Sequence, residues 1–280
     1  MENSFASSAF SMNCRGKLID LSKPKIMGIL NVTPDSFSDG GQFTDLNNAL
    51  KHAEQMIKEG ADILDIGAQS TRPNAEKISA EEEIRRIGNL ISVLKQEFPN
   101  TLLSLDTFYA DVVKFAFDEG LDLVNDISGG QFDRNLLDVV ASLKLPYVLM
   151  HVNSRYQSMH EKLIDENIVV SINKYFSQKV EYLLSLGIKD ILLDPGFGFG
   201  KTIEQQYQMI ENLEHIGFGN FPLLVGISRK SFIYKPLGKL PTEIGEETQK
   251  LHLELLKKGT KILRVHDVAL TKQTINAFLS

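Results

Sequence analysis

Eight short apolar runs, each followed by a polar or glycine-rich loop, constrain this chain more than any other feature. They fall at residues 25–30, 62–66, 102–105, 121–124, 147–150, 191–193, 223–225 and 262–265. Between them apolar residues recur at helical spacing. Leu46, Ala49, Leu50, Ala53 and Ile57 share one face, as do Ile84, Ile87, Ile91 and Leu94, with Glu and Lys filling the other faces. Ser79-Ala80-Glu81-Glu82 has the form of a capping box, and Glu81 to Glu83 put negative charge where a helix dipole favours it. Residues 135–143, 168–186, 204–213, 243–258 and 271–279 read as further helices. Strands alternating with helices imply a parallel sheet, and eight repeats predict an α/β fold closed into a (β/α)8 TIM barrel. Nothing Pro/Ser-rich divides residues 25–280, so they are expected to form a single domain. Residues 1–24 form an N-terminal extension, in which Cys14-Arg15-Gly16-Lys17 can turn a hairpin over one barrel mouth.

Composition excludes several alternatives. A chain of 280 residues, 42% of them hydrophobic, buries enough surface to need no staple, and the single cysteine, Cys14, forbids an intrachain disulfide or a cysteine-cluster metal site. With 36 acidic against 30 basic residues, a protein that coats nucleic acid or an anionic membrane is not expected. The start of the chain has no basic segment followed by an apolar one, and no apolar run is long enough to span a bilayer. A cytoplasmic protein is expected.

In a barrel of this kind chemistry collects at the carboxyl ends of the strands. Polar residues gather there at nearly every strand: Asn31 after the first, Asp65 to Pro73 after the second, then Asp106, Asn125-Asp126, His151, Asp194 to Thr202, Ser228-Arg229-Lys230, and Arg264, His266 and Asp267 on the eighth. Single members have plainer readings. Asp65 and Asp126 suit caps or turns, and His52, His160, His215 and His252 suit a solvated barrel exterior. Residues 196–202 resemble a phosphate-binding loop, but Gly-x-x-x-x-Gly-Lys-Thr ending at Thr202 requires glycine where Pro195 stands. Gly196, Gly198 and Gly200 do not have dinucleotide spacing either; they are read as letting the backbone approach a bound planar group.

The rim has two chemical ends. Asp106, Asn125 and Asp194 offer acceptors, and a carboxylate facing adjacent amino and ring N–H donors fixes the plane of a heterocycle, with Lys230 placed to donate to its carbonyl or ring nitrogen. Arg264, His266 and Asn31 form a cationic and amide corner suited to phosphate or pyrophosphate. Asn31 is a plausible oxygen ligand for Mg²⁺, which keeps most of its waters and leans on substrate phosphates.

The ordered motifs GILNVTPDSFSDGG (28–41), DIGAQSTRP (65–73), SLDT (104–107), NDISGG (125–130), LMH (149–151), LDPGFGFGKT (193–202), GISRKSF (226–232) and RVHD (264–267) make the chain resemble the dihydropteroate synthases. These folate-pathway transferases join a pterin methyl pyrophosphate to p-aminobenzoate. The resemblance implies that Asp106, Asn125, Met150, Asp194, Gly226 and Lys230 hold the pterin, and that Asn31, Arg264 and His266 hold pyrophosphate and Mg²⁺. It implies that Thr71, Arg72, Pro73, Phe199 and Ser228 meet p-aminobenzoate, and that Asp35 and Phe37 lie on a loop that closes over the substrates. By the same resemblance Asp106, Asp194, Lys230, Arg264 and His266 carry the chemistry, a dissociative substitution in which both aspartates stay ionised, and two chains pair through outer helices of the C-terminal half. The chain departs from the family pattern at Gly67-Ala68-Gln69, at Asn74, after His151 and over residues 236–247, in loops rather than at the pterin or anion groups. Two other activities use similar residues. A pterin-binding methyltransferase that serves a corrinoid protein shares Asp106, Asn125 and Asp194 but has little use for the anion corner, and a Schiff-base aldolase would use Lys230 as nucleophile. A barrel that binds pterin without catalysis is the third alternative.

Overall fold

The computed structural model describes residues 10–32, 42–70, 75–152 and 167–280. A short antiparallel pair, β1 (Ser11–Cys14) and β2 (Lys17–Asp20), precedes eight parallel strands: β3 (Lys25–Asn31), β4 (Ile63–Gly67), β5 (Leu102–Asp106), β6 (Leu123–Asp126), β7 (Tyr147–Met150), β8 (Ile191–Asp194), β9 (Leu223–Val225) and β10 (Thr260–Val265). These close into a barrel in sequence order, with β10 pairing β3. The strands read as continuous apolar runs because they are buried on both faces, inside against each other and outside against helices. Around them lie α1 (Gln42–Glu59), α2 (Ala80–Ile87), α3 (Leu90–Glu97), α4 (Ala110–Asp118), α5 (Leu136–Leu143), α6 (Ile168–Ser185), α7 (Ile203–Glu211), α8 (Ser231–Tyr234), α9 (Gly245–Lys257) and α10 (Val268–Leu279).

Four strands run past their apolar residues onto a polar one, β3 at Asn31 among them. β5, β6 and β8 end on Asp106, Asp126 and Asp194, so these side chains are set by the parallel ladder, Asp106 opposite Asn125 and Asp194 opposite Met150, rather than by loops. The helix expected across Ile84 to Leu94 breaks in two at Gly88, whose φ of 51° leaves the helical region. Sequence periodicity misses α4, whose Val112, Val113, Phe115 and Phe117 are strand-forming residues; packing of Ala110, Val112, Val113 and Ala116 on the barrel decides for helix. At α2 only half of the expected capping box forms. Ser79 accepts the Glu82 amide, but the Glu82 carboxylate is taken by Arg85 and Arg86. Nor is Glu83 a solvated dipole partner: it is buried, and burial pushes its carboxyl up to about 8. A complete capping box instead opens α7, between Thr202 and Gln205.

Arg15 and Gly16, both at positive φ, turn the hairpin. Met12, Cys14 and Leu21 then pack on Met27, Ile63, Leu102, Leu123, Val148, Leu192, Leu224 and Ile262, one residue from each barrel strand. The hairpin therefore stoppers the mouth opposite the functional rim. Burial pushes the Cys14 thiol up to about 12, which suits a packing residue rather than a nucleophile.

His52 and His215 are exposed as expected and His160 lies outside the described residues, but His252 is fully buried on α9. Its Nδ1 meets Gln249 Oε1 at 3.2 Å, Nε2 has no hydrogen-bond partner among the described residues, and burial lowers its pKa to about 3. The folded chain therefore holds His252 neutral while the unfolded chain protonates it below about 6.5. Stability is lost as pH falls through that value, by about 2 kcal/mol between pH 7 and pH 5 from this group. Urea unfolding of the H252L variant should show an acid-side loss smaller by about that amount; an unchanged loss would place the acid sensitivity elsewhere.

Candidate active site

One fully buried carboxylate organises the rim. Asp65, in the middle of β4, accepts Arg264 Nε at 2.6 Å, Asn125 Nδ2 at 3.0 Å and Ser104 Oγ at 2.6 Å. Arg264, from β10, then gives Nη2 to Asp106 at 2.7 Å. Residues from β4, β5, β6 and β10 are thus tied in one network across the barrel. Burial opposes the charge on Arg264, but Asp65 and Asp106 outweigh it and the net shift is upward. Burial raises Asp106, Arg264 pulls it down, and Asp65 and Asp126 push it up again. Sequence reasoning treated Asp65 as a turn residue. The available signal was a charge set between Leu64 and Ile66 in the middle of a strand-length run, because an ion there needs dedicated partners.

Asp194 ends β8 and accepts the Gly196 amide at 2.7 Å. Burial raises its pKa, while that amide and the cations of Lys230, Arg264 and Lys201 oppose the rise. The expectation that both aspartates stay ionised overlooked this desolvation; their charge depends on the donors and cations that surround them. Lys230, half-buried, lies 4.5 Å from the centre of the Phe199 ring. Burial, and then the charge of Arg264, lower its pKa to about 8 against the pull of Asp194 and Asp106. Phe199 and Met150 share an apolar cluster with Phe108, Ile127 and Val152. Two acceptor carboxylates, an amide, an amine and an apolar wall therefore meet at the end of the barrel.

His266 places Nδ1 3.1 Å from Ser228 Oγ, and its backbone amide donates to the same oxygen. Arg229 Nη2 bonds Asp267 Oδ1 at 2.8 Å, a second tie between the loops after β9 and β10. Arg264 Nε and Nη2 are engaged by Asp65 and Asp106. Asn31 is exposed at the end of β3, opposite Gly67 in register. Gly226, half-buried, leaves ordinary contact distance to the Arg264 side chain. Asp35, Phe37, Thr71, Arg72 and Pro73 lie outside the described residues. Asp126 is structural as expected, accepting the Tyr147 hydroxyl, the Ser128 hydroxyl and amide, and the Gly130 amide.

The glycine-rich loop makes close contacts within the protein. Gly196, Gly198 and Gly200 all have positive φ. A Cβ on Gly196 would lie 2.2 Å from the His151 carbonyl oxygen, and one on Gly198 2.9 Å from Lys230 Cδ, so the close approach is to the protein itself. The G196A variant combines a forbidden approach to backbone with a φ of 72°. It should lose about 2–4 kcal/mol of stability and pterin affinity with it, as read by urea unfolding and ligand titration; a stable, fully binding variant would contradict the stated geometry.

A cavity of about 280 Å³ opens beside the hairpin, lined by Arg15, Lys17, Lys95 and Asp122 among others. Arg15 is spent on the Phe117 and Leu121 carbonyls and Lys95 on Asp122 and Thr101, so the rim is the chemical site. Fold and rim together define an α/β-barrel enzyme with its chemistry at the carboxyl ends of the strands.

Comparison with known proteins identifies the kind. Residues 27–266 match the family described as pterin binding enzyme. The dihydropteroate synthase of Haemophilus influenzae is 40% identical over 264 residues, 94% of this chain and 95% of that one. Two solved structures of dihydropteroate synthase from Xanthomonas albilineans superpose closely. One, with 4-aminobenzoic acid, has a TM-score of 0.90 at 35% identity and covers 97% of this chain and 98% of its own. The other, in complex with 7,8-dihydropteroate, has a TM-score of 0.86 at 34% identity and covers 96% and 98%. The chain belongs to the pterin binding enzyme family and, within it, to the dihydropteroate synthases.

Proposed function

We propose that the rim condenses 6-hydroxymethyl-7,8-dihydropterin pyrophosphate with p-aminobenzoate to give 7,8-dihydropteroate and pyrophosphate. The observation that carries this is the convergence of Asp106, Asp194 and Asn125 with Lys230 at one end and Arg264 at the other. Asp106 and Asp194 accept the amino and ring N–H donors of the pterin, Asn125 supplies an amide, and Lys230 donates to the ring carbonyl. Pterin donors at Asp106 compete with Arg264 Nη2, so substrate binding releases that N–H toward the pyrophosphate while Nε stays on Asp65. The methylene C–O bond breaks first, pyrophosphate carries the bonding pair away, and Arg264 and His266 stabilise its charge. The amine of p-aminobenzoate, held by Thr71, Arg72, Pro73, Phe199 and Ser228, then bonds to the methylene carbon and loses a proton. Catalysis by positioning and charge needs no protein nucleophile.

Among the described residues no three His, Cys, Asp or Glu side chains group as a metal site. The exposed Asn31 oxygen would instead hold a Mg²⁺ ion brought in with pyrophosphate. When bound, the ion neutralises charge on the leaving pyrophosphate. Apolar side chains exposed on outer helices of the C-terminal half, Val170, Tyr182, Ile203, Tyr207 and Leu270 among them, support a homodimer through those helices, which sedimentation would test. No described helix is long and apolar enough to cross a membrane, and one buried cysteine suits a reducing cytoplasm.

The test is pyrophosphate release by purified protein given Mg²⁺ and the pterin pyrophosphate, with and without p-aminobenzoate. Release that depends on p-aminobenzoate, matched by dihydropteroate, is expected. Pterin binding with no release under either condition would overturn the reading in favour of a methyltransferase or a silent barrel.

A further inference from the structure

Between Asp194 and Lys230 lies a buried amine that the chemistry above leaves unused. Lys201, 9% exposed, donates Nζ to the Gly196 carbonyl at 2.9 Å and to the Phe199 carbonyl at 3.1 Å. Gly196 gives its amide to Asp194, and Phe199 gives its ring to Lys230. Lys201 therefore stands at the centre of a continuous path from the Asp194 carboxylate, through both ends of one turn, to the Lys230 ammonium. Gln206, also buried, holds the remaining corner of the turn by accepting the Gly198 amide at 3.1 Å. Three glycines at positive φ give this segment little stiffness of its own, so these two side chains reinforce its one backbone bond, from the Phe199 amide to the Gly196 carbonyl at 3.2 Å. A buried ammonium is expensive to desolvate, and burial lowers the Lys201 pKa to about 7 despite the nearby Asp194 charge. A methionine would fill the same space without that penalty, so packing alone does not account for an amine at this position.

We propose that Lys201 is a positioning residue for the condensation: it pins the turn of residues 196–199 so that Phe199 presents a fixed wall to p-aminobenzoate. This rests on the proposed function, from which the role of Phe199 comes. The pterin groups Asp106 and Asn125 are held by Arg264 and Asp65 rather than by the turn that Lys201 pins, so the two substrates should respond differently. In K201M, KM for p-aminobenzoate should rise about tenfold or more, whereas affinity for 6-hydroxymethylpterin should change less than about threefold, because a loosened wall loses orientation without losing the pterin donors. K201Q, which keeps a side-chain N–H donor, should recover part of the lost KM. Q206L removes the other pin and should shift KM for p-aminobenzoate in the same direction. The parent enzyme is the control: without p-aminobenzoate-dependent turnover the functional reading fails and this inference with it. With the parent active, KM in K201M within twofold of the parent overturns the inference, as does an equal loss for both substrates. If K201M does not fold, K201Q decides, and a lowered melting temperature with unchanged KM counts against positioning.

Discussion

The D194N variant is expected to bind 6-hydroxymethylpterin about 100- to 1,000-fold more weakly than the parent and to lose turnover to match. The side chain keeps its shape and its Oδ1 can still accept the Gly196 amide, so the loop should stand. What changes is the other end of the carboxyl group. An amide presents N–H to a ring that itself presents N–H, and removing a charged acceptor from a buried pair of hydrogen bonds costs roughly 3–4 kcal/mol. The cations of Lys230, Arg264 and Lys201, which oppose the burial shift at Asp194, lose a counter-charge at the same time. Fluorescence titration with the pterin, beside thermal unfolding, separates binding from folding. Affinity within tenfold of the parent would remove Asp194 from the pterin site.

The D65N variant is the second large effect, and it falls on a residue with no direct role in the proposed chemistry. Asp65 is fully buried and receives three donors, from Arg264, Asn125 and Ser104. In asparagine one of the two oxygens becomes a donor facing donors, and the guanidinium loses half of its counter-charge. Breaking one side of a buried pair typically costs about 3–5 kcal/mol; here Asp106 still compensates Arg264, so a fall in kcat/KM of about 30- to 1,000-fold is expected. The loss should appear in kcat/KM for the pterin pyrophosphate, since Asn125 belongs to its ring end and Arg264 to its anion end. A variant that loses melting temperature but keeps kcat/KM would reduce Asp65 to a folding residue.

The barrel was legible because parallel strands buried on both faces write themselves as apolar runs, and all eight runs correspond to strands. Their carboxyl ends were less so, because Asp106, Asn125 and Asp194 look like loop residues until the ladder is known to include them. The rim residues were visible as chemistry at strand ends, but their pairing was not. Arg264 and Asp65 are 199 residues apart, and only the closed sheet shows that they touch. Helix α4 was missed for the complementary reason: its side chains favour a strand, and contact with the barrel overrides them. Periodicity placed His252 within a helix without showing which side of that helix the barrel covers.

The closure of β10 on β3 has a consequence for how the enzyme comes into being. The first and last barrel strands meet only when nearly the whole chain is available, a pairing across more than two hundred residues that is slow to find. β10 also carries Arg264, the guanidinium that bridges Asp65 and Asp106. Until that strand docks, two carboxylates at the rim have no shared cation and favour hydration over burial. Completion of the sheet and neutralisation of the rim are thus one event, and a chain shortened before β10 is left unassembled rather than partly active.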